Sequence, residues 1–177
     1  LNLAKLILHK GMEDEVADEG LLMPTEELLE ADGLRLATPI HWNLTVRSTG
    51  SDEYLLEGHT TTTALVECRR CLTEVNSDLA TEFYYQMVYK PGPAELKLLE
   101  TNDENDETLI FGKPQVDFAN LITQLMAIEL PLTVLCKEDC KGLSPDGVNL
   151  NEHPEAAPKI EEPVSESPFA GLKDIKL

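Results

Sequence analysis

A chain of 177 residues with 42% hydrophobic residues can form one sizeable domain with tails, although its aromatic content of 5% is low. Its formal net charge of −19 opposes general binding to nucleic acid, because such binding depends on basic side chains that neutralise phosphates. No apolar run is long enough to span a bilayer and no export signal is recognisable, so we expect a cytoplasmic protein.

Clusters of acidic residues mark the segments that are expected to lie outside the core. Residues 13–19 and residues 100–107 carry many carboxylates without an apolar period, which predicts two exposed acidic loops. Residues 23–30 carry enough helix-forming residues for one or two short helical turns. Residues 152–177 combine acidic residues with prolines, so we expect a mostly disordered acidic tail with residues 169–177 as a candidate docking element.

Strand-like segments follow one another between the acidic clusters. Residues 41–46 alternate in polarity and end at the turn signal of residues 48–51. Residues 54–58 follow, then the β-branched run 60–66, and residues 75–89 are again strand-like, with several aromatic residues. No helical pattern separates these segments. Sequential antiparallel pairing is therefore expected, as a β-meander or a partly closed barrel.

The clearest helix begins at Asp117, which is suited to the N-cap position. Apolar residues recur after it at helical spacing until Pro131 ends the pattern, so this helix is expected to pack against the sheet. Residues 1–151 are therefore predicted to form a single α+β domain. Its parts are an antiparallel β-meander or partly closed barrel, one packed helix and a cysteine-containing C-terminal loop.

Four cysteines form two close pairs, Cys68 with Cys71 and Cys136 with Cys140. Two such pairs can surround one zinc ion as a tetrahedron of thiolates at about 2.3 Å, which leaves no position for the water of a catalytic site. We therefore favour a structural zinc bound by these four residues. The alternatives are reduced or redox-labile thiols without metal, and disulfides formed in an oxidising compartment.

Four basic residues lie in the same two segments, namely Arg69, Arg70, Lys137 and Lys141. These side chains are simply solvated, balance the negative charge of a tetrathiolate zinc, or form contacts with RNA or with a protein partner. The net charge disfavours direct RNA binding and suits a basic protein partner, because complementary fields accelerate association.

Motifs of the common enzyme classes are missing from the sequence. The four histidines are scattered, and none of them neighbours a serine or cysteine in a hydrolase motif. The chain also contains no phosphate-binding glycine loop and no HExxH segment. We therefore expect a protein that is not an enzyme.

Several of these segments together resemble the YceD family of bacterial and plastid proteins. The matching stretches are Cys68-Arg69-Arg70-Cys71-Leu72, the helix that opens at Asp117, Glu129-Leu130-Pro131-Leu132, and residues 135–151. The last stretch is similar to the family pattern C-x-x-x-C-K-G-L-C-P-x-C-G-x-x-L-N, with two departures. Ser144 stands where many relatives have a cysteine, and Asp146-Gly147 stands where a Cys-Gly pair is usual.

Members of the YceD family are associated with accumulation of the large-subunit ribosomal RNA and, by genome neighbourhood, with a small protein of the large ribosomal subunit. The resemblance implies a non-enzymatic factor that promotes accumulation of this RNA and ribosome assembly. Together with the acidic charge, it predicts binding to a basic ribosomal protein or assembly factor. The alternative is a zinc-dependent regulatory or redox-sensing module.

Overall fold

A β-sheet is the main element of the computed structural model, which describes residues 1–9, 14–92, 95–98 and 108–158. The strands are β1 (Glu15–Leu22), β2 (Ile40–Ser48), β3 (Glu53–Glu67), β4 (Glu74–Tyr89), β5 (Lys97–Leu98) and β6 (Thr108–Phe111). The α-helices of the described residues are α1 (Ala4–Leu8), α2 (Glu26–Ala31) and α3 (Ala119–Ile128). The spatial order of the strands is β1-β2-β3-β4-β6-β5.

Strands β1 to β4 form an antiparallel meander in which each strand pairs with the next in sequence. Strand β6 then joins β4 in parallel, and the short β5 pairs antiparallel with β6. The sheet is thus mixed and open, which corrects the expectation of a fully antiparallel sheet and does not confirm a partly closed barrel. The reason is that a parallel neighbour depends on a crossover connection, and no local pattern in the sequence predicts one.

The acidic segment 13–19, predicted as a loop, forms most of β1 from Glu15 onward. This correction has a simple physical basis. Strand β1 lies at the edge of the sheet, where charged side chains are tolerated and discourage pairing with other chains. Val16 packs against the core, whereas Glu15 and Glu19 are exposed.

Two predicted segments lie outside the described residues. One is the acidic loop 100–107, and the other is the tail from residue 159, including the candidate docking element 169–177. A short 3-10 helix forms at Pro154–Ala156, in the described residues that precede this tail. In the part of the chain that the structure describes, no helix has the length and hydrophobicity needed to cross a membrane.

The core lies on one face of the sheet, under α1 and α3. Helix α1 is a second packed helix that the sequence pattern does not predict, because five residues are too few to show a helical period. Its Leu6 is fully buried. The largest fully buried side chains of the core also include Leu3, Ile40, Leu44, Tyr54, Leu56, Met87, Phe111 and Met126.

Helix α3 corresponds to the helix predicted from Asp117. The Asp117 carboxylate accepts a hydrogen bond from the N–H of Ala119 at 2.9 Å, although the N-cap position itself is occupied by Phe118. The helix ends at Ile128, before Pro131 is reached. Its apolar side packs on the sheet, as predicted.

The β3–β4 hairpin is longer than the rest of the sheet. Strand β2 pairs with β3 only as far as Thr61, whereas β3 continues to pair with β4 up to Glu67. Beyond β2, an isolated bridge between Leu36 and Ala64 supports this extension. We call residues 62–79 the hairpin arm; its tip contains the first cysteine pair.

Candidate metal centre

The two cysteine pairs meet at the tip of the hairpin arm. Cys68 and Cys71 lie in the turn between β3 and β4, and Cys136 and Cys140 lie in the segment after α3. The Sγ atoms of Cys68 and Cys140 are 3.8 Å apart, and those of Cys71 and Cys136 are 3.5 Å apart. All four sulfur atoms lie within 4.8 Å of one another. We call this group the cysteine cluster.

A tight turn presents the first pair. The N–H of Leu72 donates to the carbonyl of Cys68 at 3.0 Å, and the N–H of Cys68 donates to the carbonyl of Thr73 at 2.9 Å. Leu72 has a φ of 58°, in the left-handed region. This conformation costs a non-glycine residue roughly 1–2 kcal/mol. The strained turn allows both sulfur atoms to face the second cysteine pair.

The two arginines of the turn hold the segment that carries the second pair. The backbone N–H of Arg69 donates to the carbonyl of Val134 at 2.8 Å, and its Nε donates to the carbonyl of Leu132 at 2.9 Å. Arg70 donates from its guanidinium to the carbonyl of Cys140 at 2.9 Å. The sequence leaves these side chains as solvated, as balancing the charge of a tetrathiolate zinc, or as contacts with RNA or a partner. It does not predict this internal role, because a carbonyl acceptor leaves no signal in sequence.

The two predicted lysine contacts are placed differently. Lys137 lies 3.9 Å from the Asp139 carboxylate, and both side chains are largely exposed. Lys141 is also exposed. An ion pair of this length at the surface contributes little to stability. Contacts of these lysines with RNA or a partner stay predictions.

Asn151 supports the cluster from the C-terminal side. Its Nδ2 donates to the Sγ of Cys140 at 3.3 Å, and its Oδ1 accepts the backbone N–H of Lys141 at 2.9 Å. The same Nδ2 also lies 2.9 Å from the Oδ1 of Asn149. These asparagines thus cap backbone N–H groups of the loop, and Asn151 also contacts a cysteine sulfur, which the sequence does not indicate.

Gly142 is required at its position in the same loop. Its φ of 79° is in the left-handed region, and a Cβ atom there would lie 3.2 Å from the carbonyl oxygen of Arg70. The carbonyl of Gly142 accepts the N–H of Leu150 at 2.9 Å, which brings the chain back toward the cluster. The glycine thus lets the second segment approach the arginine side of the turn.

Comparison with known proteins identifies the family. The family model of "Large ribosomal RNA subunit accumulation protein YceD" matches residues 56–176, which include the whole cysteine cluster. The chain belongs to the YceD family. It is also 29% identical over 115 residues to an uncharacterized protein of Mycobacterium leprae, an alignment that covers 65% of this chain and 50% of that protein. The chain thus spans about half the length of this relative. No solved structure matches it.

Ser144, where this YceD chain departs from the usual cysteine, has a structural role. The serine is buried, and its Oγ accepts the N–H of Val148 at 3.1 Å. Its carbonyl accepts the N–H of Gly147 at 2.9 Å, which closes a β-turn over residues 144–147. The Ser144 hydroxyl therefore stabilises the loop, and the four cysteines of the chain are all members of the cysteine cluster.

Hydrogen bonds shift the pKa values of the thiols in opposite directions. The backbone N–H of Cys71 donates toward Cys68 and lowers the pKa of the Cys68 thiol to about 6. Burial raises the pKa of Cys140, but the side chain of Asn151 and the N–H of Gly142 outweigh it, so this pKa is lowered. The hydrogen bond with Cys71 raises the pKa of Cys136 to about 12. N–H donors thus favour the thiolate, the form that binds metal, at two of the four sulfurs.

The cluster has the dimensions of a tetrathiolate metal site. A Zn–S bond of about 2.3 Å places the sulfur atoms of a tetrahedron roughly 3.8 Å apart. Two of the cross-pair distances, 3.5 and 3.8 Å, agree with this value, and all four sulfurs lie within 4.8 Å of one another. All four residues are free thiols, and three of them are buried while Cys136 is exposed. The donor set of this YceD protein therefore fits zinc.

Proposed function

We propose that this protein is a non-enzymatic factor that acts in the cytoplasm to promote accumulation of the large-subunit ribosomal RNA and ribosome assembly. The observation that carries this proposal is the match of the YceD family model to residues 56–176. The family description names accumulation of this RNA, not a reaction. The described site supports the same reading, because a closed set of four sulfurs leaves no position for a substrate.

The partner in this proposal is a basic ribosomal protein or another assembly factor. A net charge of −19 attracts cationic proteins and repels phosphates. The arginines beside the cluster, which a direct RNA contact would use, already donate to backbone carbonyls. Arg69 and Arg70 are therefore less available to phosphates than free arginines would be.

The proposed cofactor is one structural zinc ion, held by Cys68, Cys71, Cys136 and Cys140. When bound, zinc would supply a fixed link between two chain segments and no catalytic chemistry. The remaining residues already hold the site in shape: Asn151 donates to a ligand sulfur, and Arg70 binds the carbonyl of Cys140. Hydrogen-bonded supports of this kind orient metal ligands.

The partner proposal predicts binding to protein in preference to RNA. In titrations at near-physiological salt, we expect isolated basic large-subunit proteins to bind and fragments of large-subunit RNA to bind poorly. Raising the ionic strength should weaken the protein complex, because the attraction is screened. In cells that lack the protein, gradient profiles should show less large subunit. Normal profiles, with binding to neither class, would remove the ribosomal proposal.

Tight RNA binding would give a different answer. If the RNA complex is lost when Arg69 and Arg70 are replaced by glutamate, the protein-partner version fails and the ribosomal role stands. The melting temperature of this variant must be measured alongside, because both side chains also hold the second cysteine segment.

A redox-sensing module is the second candidate, and the exposure of Cys136 favours it. Its Sγ lies 3.5 Å from that of Cys71. A peroxide could oxidise one thiolate to a sulfenic acid with release of hydroxide. The neighbouring thiol would then form a disulfide with loss of water.

Zinc content before and after mild oxidation separates the two candidates. For protein purified under reducing conditions, we expect about one zinc per chain by elemental analysis, as four thiolates fill a tetrahedral site. We expect this zinc to survive brief treatment with dilute hydrogen peroxide. Zinc loss together with a Cys71–Cys136 disulfide, detected by peptide mass spectrometry, would favour the redox module. Protein without zinc that still has its native melting temperature would contradict the structural site.

A further inference from the structure

The face of the sheet opposite the core is strongly acidic. Because side chains alternate along a strand, cross-strand register assigns every second residue of β1 to β4 to this face, which we call the outer face. Among the outward positions of β1 to β4, Arg47 is the only lysine or arginine. The carboxylates of the outer face are Glu15, Glu19, Glu53, Glu57, Glu67, Glu74, Asp78 and Glu82.

Internal ion pairs neutralise only part of this charge. Arg47 bridges Glu15 and Glu57 across three strands, at 3.1 and 3.4 Å, and Arg35 pairs with Glu74. Glu19 and Asp78 have no lysine or arginine partner among the described residues, although Asp78 accepts a hydrogen bond from Thr63. The outer face therefore retains an excess of negative charge.

The outer face also exposes apolar and aromatic groups that no described element covers. Tyr84 is 63% exposed and Leu21 is 61% exposed. The helices pack on the other side, where Leu6 of α1 and Met126 of α3 belong to the core. An exposed tyrosine on a surface rich in carboxylates is a suitable contact for the flat guanidinium of arginine.

A shallow depression of about 350 Å³ lies on the same face, where β1, β2 and β3 run side by side. Most of the outward side chains that line it are polar or ionisable, and Leu21 adds an apolar wall. These lining residues include Glu19, Leu21, His41, Asn43, His59 and Thr61. The depression has room for a long side chain with a cationic end.

We propose that the outer face docks a lysine- and arginine-rich segment of a protein. This inference rests on the proposed function and adds the surface that the basic partner contacts. Carboxylates on β1, β3 and β4 suit an extended cationic chain, Tyr84 offers a ring to a guanidinium, and the depression accepts one long side chain. The same charge excludes nucleic acid from this face, since phosphates would meet uncompensated carboxylates.

The test compares two charge reversals of equal size. Glu19→Lys with Glu82→Lys changes the outer face, and Glu27→Lys with Glu30→Lys changes exposed positions on α2 by the same amount. The probes are a fluorescent ten-residue peptide of lysine and arginine, and isolated basic large-subunit proteins. The outer-face variant should bind both probes at least about tenfold more weakly, while the α2 variant should stay near the wild type. Tyr84→Ala, which keeps the net charge, should weaken binding about threefold.

Matched melting temperatures must accompany these titrations. Should the outer-face reversal lower the melting temperature, Glu19→Gln with Glu82→Gln replaces it, with a smaller loss of binding expected. Equal weakening by both charge reversals would show attraction to the whole molecule and overturn the docking face. Unchanged binding in the outer-face variant would overturn it as well.

A complementation experiment distinguishes failure of the docking face from failure of the proposed function. The wild-type gene should restore large-subunit levels in cells that lack the protein, and the outer-face variant should not. Full restoration by the outer-face variant would overturn the docking face and leave the proposed function intact. If those cells have normal large-subunit levels without any added gene, the proposed function fails.

Discussion

The Cys136→Ser variant is expected to lose zinc and to melt about 5–10 °C lower than the wild type, because binding of a structural metal contributes directly to folding. The serine hydroxyl is a poor zinc ligand. Because position 136 is the exposed one of the cluster, water would take the place of the side chain as a ligand. Proteases should then cleave within residues 132–151, while the sheet keeps its core. Differential scanning calorimetry and limited proteolysis with mass spectrometry measure the two effects.

Two controls make this result specific. Thr133→Ser changes an exposed residue of the same segment without touching a sulfur and should melt like the wild type. Treating the wild type with a strong chelator should reproduce the behaviour of Cys136→Ser. An unchanged melting temperature of Cys136→Ser in zinc-containing buffer would show that the cluster is not a structural metal site.

The Gly58→Ala variant should be strongly destabilised, although only one methyl group is added. Gly58 faces Phe83 across the β3–β4 pair, and a Cβ at Gly58 would lie 2.1 Å from a carbon of that ring. Phe83 is itself buried, so its ring must move into packed surroundings. We expect the free energy of unfolding to fall by about 3 kcal/mol, as in other overpacked cores. The melting temperature should fall by roughly 6–12 °C.

Gly92→Ala is the matched control, because its added Cβ would meet only the carbonyl oxygen of Lys90 at an ordinary 3.6 Å. This variant should have a melting temperature close to that of the wild type. Removing part of the ring by Phe83→Leu should recover some of the stability lost in Gly58→Ala. Equal unfolding free energies for Gly58→Ala and the wild type, in urea titrations, would contradict the close packing of glycine and ring.

Sequence alone predicts the members of the cysteine cluster because metal chemistry restricts them so strongly. Two close cysteine pairs are a specific pattern, and the structure brings their four sulfur atoms together. Zinc itself stays a prediction. The supports around the cluster were not predicted, since Arg69 and Arg70 bind backbone carbonyls, which every residue offers.

The fold was predicted best where neighbouring segments pair with each other. The strands from Ile40 to Tyr89 follow from alternation and turn residues, and α3 follows from its apolar period. The parallel partner β6 was missed, because its pairing with β4 depends on a crossover that leaves no local pattern. Strand β1 was missed for another reason. Its acidic residues are typical of an exposed loop, and only its position at the edge of the sheet explains why they form a strand.

The wide separation of the two cysteine pairs also sets an order of events during protein synthesis. Cys71 leaves the ribosome 65 residues before Cys136, an interval of roughly 3–13 s at 5–20 residues per second. In that time β1 to β4 can pair, because their contacts are between neighbours in sequence. The first two thiols therefore precede their partners, and all four sulfurs of the cysteine cluster are present only in a chain whose translation has passed Cys140.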